Sequence, residues 1–175
     1  MHDVDVVSWN GANDGVIDLC VDLWERVWPG DKHTRRARMN ERFDPLDEHL
    51  FHLAFDGDEL VAIARTFHHT VQIGDRETPI VALASVCSEP SRRGEGWGDA
   101  VVRSAFAHCA GAERLGLFQT GVPGFYERFG SRTISNRVFT SQPGASAFTD
   151  DFVMIQPNSS EWDEAAEIDL RMAGW

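Results

Sequence analysis

The chain has 175 residues, 42% of them apolar, which suffices for one domain with its own core and does not require two. Its 28 acidic and 16 basic side chains give a formal net charge of −12, the wrong sign for a protein whose main partner is a nucleic acid. No run approaches the roughly 18 consecutive apolar residues of a membrane span.

The opening MHDVDVVSWN has no basic segment followed by an apolar run, so no secretory signal is read there. Cys20, Cys87 and Cys109 are odd in number and share no C-x-x-C spacing. The expectation is reduced, buried thiols in a cytoplasmic protein, not a disulfide framework or a zinc site. VDVVSW (4–9) reads as a first strand. From Gly15 to Val27, the residues Val16, Leu19, Cys20, Leu23, Trp24 and Val27 fall at helical spacing, with Asn13 or Asp14 as cap and Pro29-Gly30 as stop. DKHTRRARMNERF (31–43) reads as the start of a second, polar helix.

The period then changes. HLFHLAFD (49–56), ELVAIARTFHHTVQI (59–73) and TPIVALASVCS (78–88) are rich in β-branched and aromatic residues. Asp56-Gly57-Asp58 and Gly74-Asp75-Arg76 punctuate them as hairpin turns. Beyond a glycine-rich stretch at 92–100, Val101, Val102, Ala105, Phe106 and Cys109 make one face of a helix ending near Gly111. RLGLFQT (114–120) is a further strand and PGFYERFG (123–130) a short helix. RTISNRVFT (132–140) and DFVMIQP (151–157) are the last strands, flanking the loop SQPGASAFTD (141–150). This order predicts one domain over 1–175 of α/β (α+β) class, closed by an acidic tail at 157–175. Its core would be a mixed, mostly antiparallel twisted sheet of about seven strands with helices on both faces.

The stretch RRGEGWGDA (92–100) places three glycines at alternate positions directly after two cations. Glycine permits φ > 0 and clears one face of the backbone. A P-loop would need Lys and then Ser or Thr after the last glycine, but Trp97, Gly98 and Asp99 stand there. A dinucleotide fingerprint needs G-x-G-x-x-G, whereas Gly94, Gly96 and Gly98 give G-x-G-x-G. Two readings remain. The loop and helix start can present free N–H groups to an anion, helped by Arg92 and Arg93, or the glycines can serve a tightly packed strand-to-helix turn.

With its flanks, VCSEPSRRGEGWGDAVV resembles the acetyl-CoA-binding segment of the GNAT N-acetyltransferase superfamily. That pattern is an apolar strand, often a proline, then Arg or Gln, two residues, Gly, one residue, and Gly or Ala. Pro90, Arg93, Gly96 and Gly98 fill those places. GLFQTGVPGFYERFGS resembles the family's second signature, a strand followed by a helix with F-Y-x-x-x-G. Tyr126 takes the tyrosine position and is the only tyrosine of the chain. The resemblance implies acetyl-CoA as co-substrate and no metal. Arg92, Arg93, Gly94, Glu95, Gly96, Trp97 and Gly98 would surround the CoA pyrophosphate, and the strand edge at Val86, Cys87 and Ser88 would run along the pantetheine arm. Tyr126 would protonate the leaving thiolate after direct attack by a primary amine in a ternary complex. Two residues depart from the pattern. Glu95 puts a carboxylate beside the loop, and Ser88 replaces an apolar residue two before the proline.

The attacking amine must be neutral, which asks for a base. Some family members carry a glutamate on the fourth strand, yet Ile80 to Val86 holds no acid. His68 and His69, one on each face of their strand, have the intrinsic pKa of a base and also the ordinary reading of strand histidines. As metal ligands they lack a carboxylate or third histidine at recognisable spacing. Cys87 has no sequence neighbour that would activate it as a nucleophile.

For the acceptor, the tail EWDEAAEID, the PGDK segment at 29–32, TDDFVMIQP and the closing Gly-Trp resemble the aminoglycoside 2′-N-acetyltransferase branch. Asp31, Asp151 and the Trp175 carboxylate would then meet substrate ammonium groups. The acid which that branch carries just before its final residues is missing from Met172, Ala173 and Gly174. An acidic surface attracts any polycation, so a polyamine-like acceptor fits equally. Two other readings stand beside this one: acetylation of a protein N-terminus or lysine, and a non-catalytic acyl-CoA-binding module. The expected partners are a small-molecule amine and, through pairing of late strands, a second copy in a homodimer, with neither nucleic acid nor membrane.

Overall fold

The computed structural model describes residues 2–31, 36, 48–112, 114–141, 152–156 and 162–171. The second helix expected from residue 31 lies outside these, Asp31 and Arg36 apart, as do most of the loop 141–150 and both ends of the tail. The chain packs as two compact units, residues 1–67 with 85–105, and residues 68–84 with 106–175. Its class is α/β (α+β), with a mixed, mostly antiparallel sheet of nine strands among the described residues.

In the first unit, β1 (Asp5–Ser8) pairs antiparallel with β2 (His49–Asp56), and β2 with β3 (Glu59–Ile73). The β2–β3 turn closes at Gly57, whose φ of 60° suits glycine. Helix α1 (Asp14–Val27) starts as the sequence predicts: the Asn13 side chain accepts from the Val16 N–H at 3.0 Å. Cys20, Leu23 and Trp24 of α1 pack with Phe51 and Leu53 of β2, Ile63 of β3 and Cys87. Leu19, expected on that face, is 38% exposed. At about 100° per residue the buried stripe centres on Ile17, Cys20 and Trp24, which leaves Leu19 at its edge.

The second unit contains the rest of β3 and most of β4 (Arg76–Ser88). β4 pairs in parallel with β5 (Leu115–Thr120), and such a pairing needs a crossover, supplied by α2 (Trp97–Gly111). The face of α2 expected to be buried is so: Val101, Val102 and Ala105 are fully enclosed. β5 pairs antiparallel with β8 (Phe152–Gln156), and β8 with β6 (Arg132–Thr133). Between β5 and β6 lies the short helix α3 (Pro123–Glu127).

Two features differ from expectation. The run 132–140 is broken into β6 and β7 (Val138–Phe139). Asn136, between them, donates through Nδ2 to the carbonyls of Asp163 and Ala166, both at 2.8 Å, and its side-chain oxygen accepts from Trp162 Nε1. These bonds compete with a continuous ladder. Within the acidic tail, Ile168–Asp169 form β9, antiparallel to β3 and parallel to β7. No helix among the described residues is long and apolar enough to cross a membrane.

Candidate active site

The β4–β5 pairing covers only Ile80–Ala82 against Leu115–Leu117. From Phe118 to Thr120, β5 is paired with β8. Three residues past the last position that β4 pairs with β5, Ser85 adopts a φ of 53°. For a residue with a Cβ, that left-handed conformation costs about 1–2 kcal/mol, strain of the kind concentrated at functional positions. Beyond this kink Val86 and Ser88 are half-buried, while Cys87 sends its sulfur into the α1–β2–β3 core. Cys87 can therefore offer a ligand its backbone but not its thiol.

After the short turn Pro90–Arg92, Arg93 is extended, with φ −64° and ψ 144°. Gly94 and Gly96 have φ of 87° and 88°, and α2 opens at Trp97. Backbone of alternating hand turns successive N–H groups toward one side, the arrangement that binds anions. No described residue accepts a hydrogen bond from the N–H groups of Arg93 through Gly98. The first turn of α2 adds its own orphan donors and the positive end of its dipole. A methyl on Gly94 would meet nothing within 4 Å, and on Gly96 its nearest neighbours would be His2 ring atoms at 3.8 and 4.0 Å. These two glycines are thus required by conformation and not by crowding, which favours the anion reading over the packed turn. Gly98 sits inside the first turn of α2.

The two arginines differ. Arg92 donates through Nε to Glu95 at 2.8 Å and through Nη2 to Asp56 at 2.9 Å. Its guanidinium lies 5.5 Å from the centroid of the Trp97 ring. The bonds to Glu95 and then Asp56 hold the Arg92 pKa above its ordinary value. Glu95 also accepts from Trp97 Nε1 at 3.1 Å, and Trp97 followed by Arg92 holds this carboxyl below the ordinary carboxylate range. Arg93 is exposed, and no described acid pairs with it. His2 stacks on Trp97, with centroids 3.5 Å apart, and its Nε2–H donates to the Glu95 carbonyl at 2.9 Å. Upstream, Arg26 of α1 holds Glu89 at 2.5 Å. Asp56, Trp97 and His2 brace the loop through side-chain contacts that carry no motif, so sequence reading alone misses their role.

In the second unit Tyr126 lies on α3 and is 6% exposed. Pro123 at the first position pre-sets the helical φ, and Gly130, with φ 86°, ends the following turn. The Tyr126 ring packs 4.7 Å from Phe118 and 4.9 Å from Phe125. Of the two candidate bases, His69 donates through Nε2 to the Leu170 carbonyl at 2.8 Å, tying β3 to the tail. His68 stacks on His108, with centroids 5.5 Å apart.

Among the substrate candidates, Asp31 is exposed in the first unit, and Asp151 and Trp175 lie outside the described residues. The described tail acids are engaged within the protein. Glu164 accepts from Arg132 and from the Ser135 N–H, and Glu167 pairs with Arg137 at 2.6 Å. Asp169 accepts from the N–H groups of Ser141 and Arg171. Among the described residues, no group of three or more His, Cys, Asp and Glu could hold a metal ion.

The family model described as "Acetyltransferase (GNAT) domain" matches residues 10–134, well over half of the chain. The chain belongs to the GNAT acetyltransferase family. No curated protein sequence matches it. Among solved structures, Escherichia coli ElaA superposes with a TM-score of 0.61 at 17% identity, over 90% of this chain and 100% of its own. An aminoglycoside 6′-N-acetyltransferase complexed with coenzyme A gives 0.61 at 18% identity, over 89% and 99%. A GNAT family acetyltransferase from Brucella melitensis in complex with acetyl-CoA gives 0.59 at 16%, over 99% of both. The chain spans about a third of the length of the longer chains it matches from Enterococcus faecalis and Kribbella flavida, 33% and 34%. At such identities the likeness establishes this GNAT chain's fold.

Proposed function

We propose that this GNAT protein transfers an acetyl group from acetyl-CoA to a primary amine of a small cationic acceptor, aminoglycoside- or polyamine-like, by direct attack in a ternary complex. The loop Arg93–Gly98 carries this reading, with two left-handed glycines, N–H groups that meet no acceptor among the described residues, and an exposed Arg93 ahead of α2. Such a loop is an anion cradle suited to the CoA pyrophosphate. The strand edge at Val86, Cys87 and Ser88 receives the pantetheine arm, and a backbone N–H there polarises the thioester carbonyl.

The amine lone pair attacks the thioester carbon, the tetrahedral intermediate expels the thiolate, and Tyr126 gives that sulfur its proton. The proton on the new ammonium leaves to solvent, and the Tyr126 oxygen takes one back from solvent, so the net products are the amide and the free thiol. Holding both substrates in line supplies much of the acceleration. Burial of the Cys87 sulfur in the core favours direct attack over an acyl-cysteine intermediate. The net charge of −12 favours a polycationic acceptor, and one similar structure is an aminoglycoside 6′-N-acetyltransferase. Asp31, Asp151 and Trp175 are the residues assigned to the acceptor.

The test is thiol release from acetyl-CoA over aminoglycosides, polyamines, basic peptides and neutral amines. Turnover concentrated on small polycations supports the reading. Equal rates on neutral amines would overturn the acceptor class, and CoA binding without turnover on any amine would overturn the transfer itself.

A further inference from the structure

Glu95 stands between two glycines of a loop that receives an anion, where a carboxylate raises the electrostatic cost of binding. Its place is explained by what it holds. Arg92 lies between Glu95, at 2.8 Å, and Asp56 of the β2–β3 turn, at 2.9 Å, and Glu95 also holds the indole N–H of Trp97, where α2 begins. Asp56, Arg92 and Glu95 together carry one net negative charge, so this cluster offers no cation to a phosphate. An Arg92 that turned to a ligand would give up two charge-assisted hydrogen bonds and its place beside the Trp97 ring.

We propose that Asp56, Arg92 and Glu95 form a positioning clamp that fixes the glycine loop before the cofactor arrives, and that Arg92 acts through the loop without touching the cofactor. This rests on the reading of the loop as the CoA site. Gly94 and Gly96 have the largest backbone freedom of any residues, so an unbraced loop would lose the most entropy on closing around a pyrophosphate. The clamp removes that cost beforehand by joining three points: the β2–β3 turn, the loop and the first residue of α2. Preorganisation of this kind raises affinity without adding a ligand contact. Arg93, to which no acid among the described residues is paired, is the cation left for the anion.

The clamp and a direct contact predict opposite signs. Were Arg92 a ligand, D56N or E95Q would free a cation, remove a competing anion and tighten CoA binding. As a clamp, either change loosens the loop and weakens binding. E95Q keeps the shape and one oxygen acceptor, so it isolates the charge. Isothermal titration with CoA should give dissociation constants about three- to tenfold higher for D56N, E95Q and R92Q, with E95Q/R92Q no weaker than R92Q, since the members act as one unit. The loss falls on KM for acetyl-CoA and not on kcat.

A second measurement uses the full chain without any ligand. Amide exchange at Ala100, whose N–H donates to the Gly96 carbonyl at 3.1 Å where the loop meets α2, is faster in D56N, E95Q and R92Q, while R93Q weakens CoA binding with exchange unchanged. Tighter CoA binding by D56N or E95Q, or unaltered amide exchange in all three clamp variants, would overturn the clamp. Should the unmodified protein bind no CoA, the function proposed above fails, and the exchange measurement still decides whether the clamp exists.

Discussion

Tyr126 is the single phenol in a chain with eleven phenylalanines. Its ring sits among Phe106, Phe118 and Phe125, where a phenylalanine would fill the same space. Tyr126→Phe therefore separates packing from chemistry. If the hydroxyl protonates the leaving thiolate, kcat for thiol release drops about 10²–10⁴-fold. Losing one hydrogen bond costs only about 1 kcal/mol, so Tm moves by at most about 4 °C. A variant with full activity would remove the tyrosine from the mechanism. At this scale legibility follows residue type. Gly94 and Gly96 were readable because alternate glycines announce positive φ, and the structure places both there. Ser85 was not: serine has no preference for the left-handed region, yet it stands at φ 53°. Gly116 was silent too, since its requirement is a neighbour's, the Gln156 Cβ that an added methyl would meet at 2.9 Å.

The long elements were legible because each carries its period and its stops. β2 and β3 begin and end where the runs rich in β-branched and aromatic residues do, with Gly57 and Gly74 turning at φ 60° and 54°. β9 was not, because a two-residue strand takes its conformation from the strands it joins and not from its own propensity. Two acids, Glu164 before it and Asp169 within it, tie the tail down. Arg132, then the Ser135 N–H, holds the Glu164 carboxyl below its ordinary 4.5. For Asp169 burial is the largest single influence and acts upward, but the bonds from Ser141 and Arg171 together outweigh it, leaving the carboxyl below 3.8. Both carboxyls titrate lower in the folded than in the unfolded chain. Their contribution is therefore present above the unfolded values and lost as pH falls through the folded ones. Amide exchange should show protection at Ile168 and Leu170, which donate to the carbonyls of Arg137 and Phe139, falling between about pH 6 and pH 3. Protection in the β2–β3 hairpin should persist over the same interval. Tail amides equally protected at both ends of that range would show that these carboxylates do not hold β9.

Across the whole molecule, the class and the order of the long strands were legible, yet the division into two compact units was not. The boundaries fall inside continuous elements, after Phe67 in β3, after Ala84 in β4 and after Ala105 in α2, where composition does not change and no linker marks a joint. Each unit nevertheless carries its own reporter. Cys20 is 2% exposed in the first and Cys109 1% exposed in the second. Burial pushes both thiols from the ordinary 9.0 up to about 12. A folded value above the unfolded one means that the stabilisation is complete below about pH 9 and disappears as pH rises from there toward 12. Resistance to urea should therefore decline on the alkaline side above pH 9, and substitution of both cysteines by alanine should flatten that decline. The thiolate is the reactive form, so at about pH 8 neither cysteine labels until its own unit opens. Cys87 packs in the same cluster as Cys20, so these two should label at one rate, and Cys109 at the rate set by the second unit. Labelling of Cys20 or Cys109 in the native protein as fast as a free thiol would refute their enclosure. Different rates for Cys20 and Cys87 would refute the single core that joins α1 to the end of β4.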